Sequence, residues 1–420
     1  MSGSPLPLDR SWYRELLVVA GGVGAVVGVL GLGYLAITGG LSDLVFGDPS
    51  AEPWSGQWWW VAYTAAGGLV VAGLRRWWRV PDRVPGGVAV IELGVVDHRA
   101  APSWVGIALV SAVVGASLGP SFALVMMGGG LASWIASRRW KGNEEARLEA
   151  TAAGIAGGFG GAFTSPLLGT IIVSELAPIH RSRYVQAILP QLIAATVGFG
   201  IYYAVVGTTF LNSFAIPVED FTPSQLLIGV ALGAASSVVM LSFVAVVKGV
   251  NVGAQRLRNP YVRGGVAGGL VGVVAVALPL TVGAGNAQLT AVIDDAASLS
   301  VWLLLAVLFG KMLAMALSLA AGFIGGNVLP MLFVGGTAGV LVHQALPGIP
   351  YAVAVGCMLS AVPAATIKAP LGLAAIAALS IGLGPVTLAP VVAAVATSHL
   401  LTAAVVNVVK RRHEVPAVHA

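Results

Sequence analysis

Thirty-eight consecutive residues, 100–137, carry no charge. A bilayer crossing needs only about 20 apolar residues, so a run of that length leaves few water-soluble folds open. It is not alone: 56 positions between Lys311 and Lys368 and 41 between Lys368 and Lys410 hold no Asp, Glu, Lys or Arg. With 57% hydrophobic and 9% charged residues, the chain belongs among multi-pass membrane proteins of the cell membrane, with lipid as its first partner. The uncharged stretch 16–42, behind Asp9, Arg10, Arg14 and Glu15, is too long for a signal-peptide core and reads as a retained first helix.

The net charge of +5 sits in short clusters: Arg75, Arg76, Arg79; Arg138, Arg139, Lys141; Arg181, Arg183; Arg256, Arg258; Lys410, Arg411, Arg412. Basic loops beside apolar spans follow the positive-inside bias and argue against a nucleic-acid partner. Cys357 is the single cysteine, which excludes an internal disulfide, and the six histidines are too scattered for a metal site. His343 and His399 read as hydrogen-bonded packing residues. No Walker loop, no Gly-x-Ser-x-Gly elbow and no grouped acid, histidine and nucleophile occur. The expectation is an all-α protein that is not an enzyme and carries no cofactor.

Apolar spans fall at 16–40, 57–74, 103–137, 150–174, 184–216, 224–247, 264–282, 299–346, 351–380 and 385–408. Several exceed one crossing yet fall short of two, and Pro120, Pro166, Pro190, Pro330 and Pro370 interrupt them. Proline removes a helical hydrogen bond and clashes with the preceding turn, so pairs of tilted or half-crossing helices are expected. Gly is 56 of 420 residues, twice the usual share of about 7%, as close helix packing in lipid favours.

The chain also repeats itself. LGPSFALVMMGGGLA from Leu118 parallels VLPMLFVGGTAGVL from Val328, and FTSPLLGTIIV from Phe163 parallels IKAPLGLAAIA from Ile367. This order suggests an N-terminal segment with the first helix (1–56), a first membrane repeat (57–216), a second (217–408) and a short tail (409–420). Interrupted helices at matching places in two halves mark a site between repeats. A helix starting at mid-membrane offers unpaired N–H groups and the positive end of its dipole, a weak anion site without a full charge. Weakness suits conduction, since an ion must leave as well as enter.

Four segments together resemble the CLC chloride channels and chloride/proton exchangers: AAGIAGGFGGAFTSPLLGTIIVSE (152–175), LTVGAGNAQL (280–289), KMLAMALSLAAGFIGGNVLP (311–330) and TIKAPLGLAAIAALS (366–380). The likeness covers roughly residues 57–405. It implies a CLC-type inverted-repeat fold, normally a homodimer with one anion pathway per subunit, and chloride or a similar small inorganic anion as the transported ion.

The departures from that family are informative. Its second signature, Gly-Arg/Lys-Glu-Gly-Pro, carries a mobile gating glutamate that also takes up the exchanged proton; here the run is Ala116, Ser117, Leu118, Gly119, Pro120, and the gate position is Leu118. The exchangers' inner proton-transfer glutamate falls at Leu176, one place after Glu175. In the first signature, Gly-Ser-Gly-Ile-Pro, the nearest match is PGGVAVIE (85–92), with Gly86 at the serine place followed by Gly87. In the third, Gly325, Gly326, Asn327, Val328, Leu329 and Pro330, an Asn replaces an apolar residue; its amide either donates to an anion or caps the following helix. No match to the family's central tyrosine is evident, and the tail is too short for its paired regulatory domains.

The expected function is passive, uncoupled anion flow. The candidate pore residues are Gly86, Gly87, Ser117, Leu118, Gly119, Pro120, Gly326, Asn327, Val328 and Leu329, contributing mainly backbone N–H groups, with Leu118 as plug or vacated gate. The alternatives are a proton-coupled exchanger for another anion such as fluoride or nitrate, and a non-transporting partner or sensor protein. Three charges border these motifs. Glu175 reads as a water-interface residue beside Arg181 and Arg183, or a proton carrier; Lys311 and Lys368 snorkel, or Lys368 concentrates anions at a pore mouth.

Overall fold

The computed structural model describes residues 7–8, 10–47, 56–81, 84–179, 183–207, 214 and 216–414, with side chains to residue 408. Asp9, His180, Arg181 and His419 lie outside the described residues, as do the side chains of Lys410, Arg411, Arg412 and His413. Two prolines explain much of the path. Pro166 and Pro370 each open a helix at its first position, where the missing N–H costs nothing. The long uncharged runs therefore split into pairs. Among the described residues, the first eight helices are α1 (Ser11–Phe46), α2 (Trp60–Trp77), α3 (Gly87–Leu93), α4 (Ala101–Val113), α5 (Ser121–Arg139), α6 (Glu144–Ala162), α7 (Pro166–Leu176) and α8 (Tyr184–Val206). The next eight are α9 (Ser224–Gln255), α10 (Pro260–Ala277), α11 (Asn286–Asp294), α12 (Val301–Ala321), α13 (Val328–Ala345), α14 (Tyr351–Ala364), α15 (Pro370–Ile381) and α16 (Ala389–Glu414).

Read in order, the two sets have matching proportions. A helix of 36 residues, one of 18 and one of 7 open the first set; 32, 18 and 9 open the second. Both sets then place a short helix of 11 or 12 residues just before the last. The packing repeats as well: α1 lies on α8 and α6 as α9 lies on α16 and α14, and α5 pairs with α6 as α13 pairs with α14. Across the halves α2 packs on α10 and α7 on α15. At the first of these crossings a Cβ on Gly68 or Gly264 would run into the other's backbone oxygen, so the backbones touch only because both residues are glycine.

Among the described residues seven helices are long and apolar enough to span a membrane, and α4, α7, α14 and α15 are apolar but too short to cross alone. Pro190 behaves otherwise. It lies inside a continuous α8 rather than breaking it, as Pro363 does inside α14, and neighbouring helices can re-satisfy the freed carbonyl. Trp60 is buried edge-on against Phe46, while Trp58 and Trp77 at the two ends of α2 stay exposed, as tryptophans at membrane interfaces do.

The ends of α1 define two faces. Near its start, Glu15 pairs with Arg139 at 2.9 Å, and Glu145 meets Arg10 at 3.9 Å and Arg183 at 2.8 Å. Near its end, Phe46 packs with Trp60 and Val282. The described residues joining helices on that second face, 56–59, 216–223, 278–300, 346–350 and 382–388, include Glu219, Asp220, Asp294 and Asp295 and no Lys or Arg. The positive-inside bias makes the basic face cytoplasmic and this acidic face external.

Candidate functional site

The helices that begin at the two central breaks meet. Gly119, just before α5, and Gly326, just before α13, form an antiparallel bridge in which each N–H donates to the other's carbonyl at 2.7 Å. The contact is near-symmetric in sequence terms: a Cβ on Gly119 would stand 3.3 Å from Leu329 Cβ, and one on Gly326 would meet Ser121 and Phe122. Two corresponding breaks of the repeats thus share a single point in the interior.

The pairing alters which donors are free. The N–H of Ser117 donates to Ser318 Oγ at 3.0 Å and that of Leu118 to the Ala116 carbonyl at 2.7 Å. With Gly119 and Gly326 occupied by each other, the backbone donors move two residues inward, to the first turns of α5 and α13, whose N–H groups have no helical carbonyl to reach. Ser121, Val328 and Leu329 are in those turns.

On the cytoplasmic side of the bridge lies a cavity of about 60 Å³, lined by Gly86, Gly87, Ser121, Gly326, Asn327 and Val328 together with apolar residues from α3, α5, α6, α7 and α15. Since about 10–15 Å³ of such space admits one water, there is room for a small ion with part of its shell. Segments far apart in sequence supply its wall: the matches to the first and third signatures, and Ser121, which directly follows the match to the second. Gly87 approaches the start of α5 so closely that a Cβ would stand 3.3 Å from Phe122 Cα. Asn327 does not cap α13: its side chain makes no capping bond and its Oδ1 is buried without a partner. Turning the amide over would present its NH₂ there instead, a donor suited to an anion.

Leu118 lies on the other side of the bridge. It is 3% exposed and, with Pro120, lines a separate external cavity of about 230 Å³. Its Cβ blocks the space a Cβ on Gly325 would need, at 2.5 Å. Ser117 lines neither cavity; its hydroxyl donates to the Thr281 carbonyl at 3.2 Å. Among the described residues no carboxylate lines the inner cavity, and Leu176, where the resemblance sets the inner proton-transfer acid, is one of its apolar walls.

Two of the three charges near the motifs are placed differently from the sequence reading; the third, Lys368, keeps a side chain 67% exposed, as snorkelling implies. Glu175 is not beside Arg183, which pairs with Glu145; it reaches across the halves and accepts the N–H of Leu371 at 2.9 Å and of Gly372 at 2.7 Å, capping α15. Carboxylates favour helix N-termini, and α15 has no capping side chain of its own. Lys368 pairs with Glu92 at 3.2 Å. Lys311 does not snorkel: it is 0% exposed, donating to the carbonyls of Thr281 at 3.1 Å and Gly283 at 2.7 Å. His343 and His399 hydrogen-bond the Ile349 and Ala364 carbonyls, in keeping with packing roles. Ser121 was missed from sequence although it follows Pro120 directly.

A multi-pass helical membrane protein with mirrored halves and a small polar-lined cavity at their junction is the class that fold and site define. The chain belongs to the voltage gated chloride channel family, whose model matches residues 67–403. It is 27% identical over 286 residues to YfeO of Escherichia coli, a protein named for ion transport; the match takes in 66% of this chain and 62% of YfeO. It is 30% identical over 227 residues to MJ0305 of Methanocaldococcus jannaschii, 52% of this chain and 54% of that one. The chain thus aligns to less than two-thirds of either relative. Among solved structures, a slow cyanobacterial Cl⁻/H⁺ antiporter superposes with a TM-score of 0.78 at 20% identity, covering 96% of this chain and 99% of the other. A CLC-type fluoride/proton antiporter gives 0.75, also at 20% identity, covering 93% and 95%. The CLC fold expected from the motifs is therefore the fold observed.

Proposed function

We propose that the protein carries chloride or a similar small inorganic anion passively across the membrane, one pathway per subunit of a homodimer in lipid. The observation that carries this reading is Leu118: an apolar side chain, with no titratable oxygen, stands beside the bridge between the external cavity and the inner one. The inner cavity supports it, offering backbone N–H groups from helix starts and the Asn327 amide rather than a competing carboxylate. Binding by dipoles alone is weak enough to release the ion. Leu118 serves as the constriction, and its removal opens the way.

The test is ion uptake by vesicles containing the purified protein, with a panel of halides, fluoride and nitrate and an external pH electrode. Uptake without stoichiometric proton movement is expected, and Leu118→Ala should raise it. Uphill proton movement driven by the anion gradient would overturn the uncoupled reading. It would favour a second one, proton-coupled exchange, to which the two antiporters of similar fold lend weight. Absence of flux for every anion would leave a partner or sensor role.

A further inference from the structure

Lys311 is the unexplained charge of this molecule. Among the described residues the external loops carry acids and no Lys or Arg of their own, yet Lys311 reaches them from inside α12. No carboxylate among the described residues pairs with it. Its ammonium is held by the carbonyls of Thr281 and Gly283 and lies 5.0 Å from the centre of the Phe333 ring. A cation buried in this way is costly unless something offsets it, and two carbonyls and a ring face offset it only in part.

Its position relative to the external cavity gives the charge a use. That cavity is lined by Asp43, Leu118, Gly283, Gly285 and Gln288, among others. Gly283 supplies the carbonyl nearest the ammonium, and a Cβ on Gly285 would stand 3.0 Å from Lys311 Nζ. One thickness of glycine backbone therefore separates the positive charge from the space in front of Leu118. Gly285 adopts φ +93°, a left-handed conformation that favours glycine, and the missing side chain leaves the ammonium close to the cavity.

We propose that Lys311 supplies, from behind the Gly283 and Gly285 wall, the positive charge that holds a small monovalent anion in the external cavity before it passes Leu118. This rests on the reading that the path carries anions. A unit charge acting over about 10 Å at an effective dielectric of about 20 changes anion affinity roughly tenfold.

The experiment uses the full-length protein in detergent, titrated with bromide by calorimetry, beside vesicle flux. Lys311→Met removes charge and hydrogen bonds; Lys311→Gln keeps a donor for the carbonyls and removes only the charge. Bromide affinity should fall roughly tenfold in both, while Lys311→Arg, which keeps the charge, should retain it; a purely hydrogen-bonding role of the lysine would not separate Gln from Arg. If neither Lys311→Met nor Lys311→Gln folds, Lys311→Arg is the remaining test and must bind bromide with the wild-type affinity. Unchanged affinity in a folded Lys311→Gln, or affinity lost in Lys311→Arg where that is the remaining test, overturns the proposal. A wild type that binds bromide in a Lys311-dependent way without conducting it supports the lysine's role and refutes transport. A wild type that conducts, with affinity indifferent to Lys311, does the reverse. A wild type that neither binds nor conducts refutes both.

Discussion

Replacing Glu175 with Gln removes a charge while keeping the shape, and the outcome can be worked from two distances. In the wild type each carboxylate oxygen accepts one N–H from the first turn of α15, at 2.9 and 2.7 Å. Hydrogen bonds to a charged partner contribute about 1.5–3 kcal/mol each, and a carboxylate at a helix start adds about 0.3–1 kcal/mol more. Gln retains one carbonyl acceptor, so one bond becomes neutral, while its NH₂ turns a donor toward the second N–H and leaves that group unsatisfied. The net loss is about 2–4 kcal/mol. In a chain of this size each kcal/mol moves the melting temperature by roughly 2 °C or less, so a drop of several degrees is expected. A thermal-shift assay in detergent reads it directly. Glu175→Asp, one methylene shorter, should fall as far because it cannot reach both donors. Anion flux per folded protein should persist in Glu175→Gln. Melting unchanged to within a degree would refute the cap, and flux whose proton dependence vanished in Glu175→Gln would make this acid a proton carrier instead.

Other substitutions follow from the same geometry. Leu118→Ala should increase uptake in the vesicle assay, and an unchanged rate would mean that the leucine does not restrict the path. Gly326→Ala places a Cβ into Ser121 Oγ and 3.0 Å from Phe122 N, forcing the two breaks apart; overpacking with loss of the paired bonds should cost about 3–5 kcal/mol, measured by the same melting assay. Ser121→Gly in that background should recover only part of it, since the Phe122 backbone stays in the way. Separating the exposed Lys368–Glu92 pair by Glu92→Ala should change stability by about 0–1 kcal/mol. A larger loss would mean that the pair organises the start of α15.

Much of this architecture could be read from the chain because its strongest signals are local. Proline positions and uncharged lengths depend on the residues themselves, which is why the spans 103–137, 299–346 and 351–380 divide where Pro120, Pro330 and Pro370 stand. Pro190 misled for the same reason: whether a proline breaks a helix depends on what packs around it. The inner cavity gathered Gly86, Gly87, Gly326, Asn327 and Val328 because each lies at or beside an interruption. What escaped depends on contacts between distant segments. The cap from Glu175 to α15 spans 197 positions at Gly372, and the mutual bonding of Gly119 and Gly326, which consumes two donors the motifs promise, needs both halves in place. The burial of Lys311 was likewise invisible, since an isolated lysine bordering an apolar run looks the same whether it points to water or into the interior.

The bond pair joining Gly119 to Gly326 restricts how traffic through this protein can be controlled. Rigid-body tilting of one half against the other at this depth would tear both links at once and strand four polar groups away from water. A swing of one leucine or the turn of one amide disturbs neither. If the path carries an anion as proposed, opening and closing at the waist of the molecule is a matter of rotamers, fast and small in amplitude, with the protein backbone standing still.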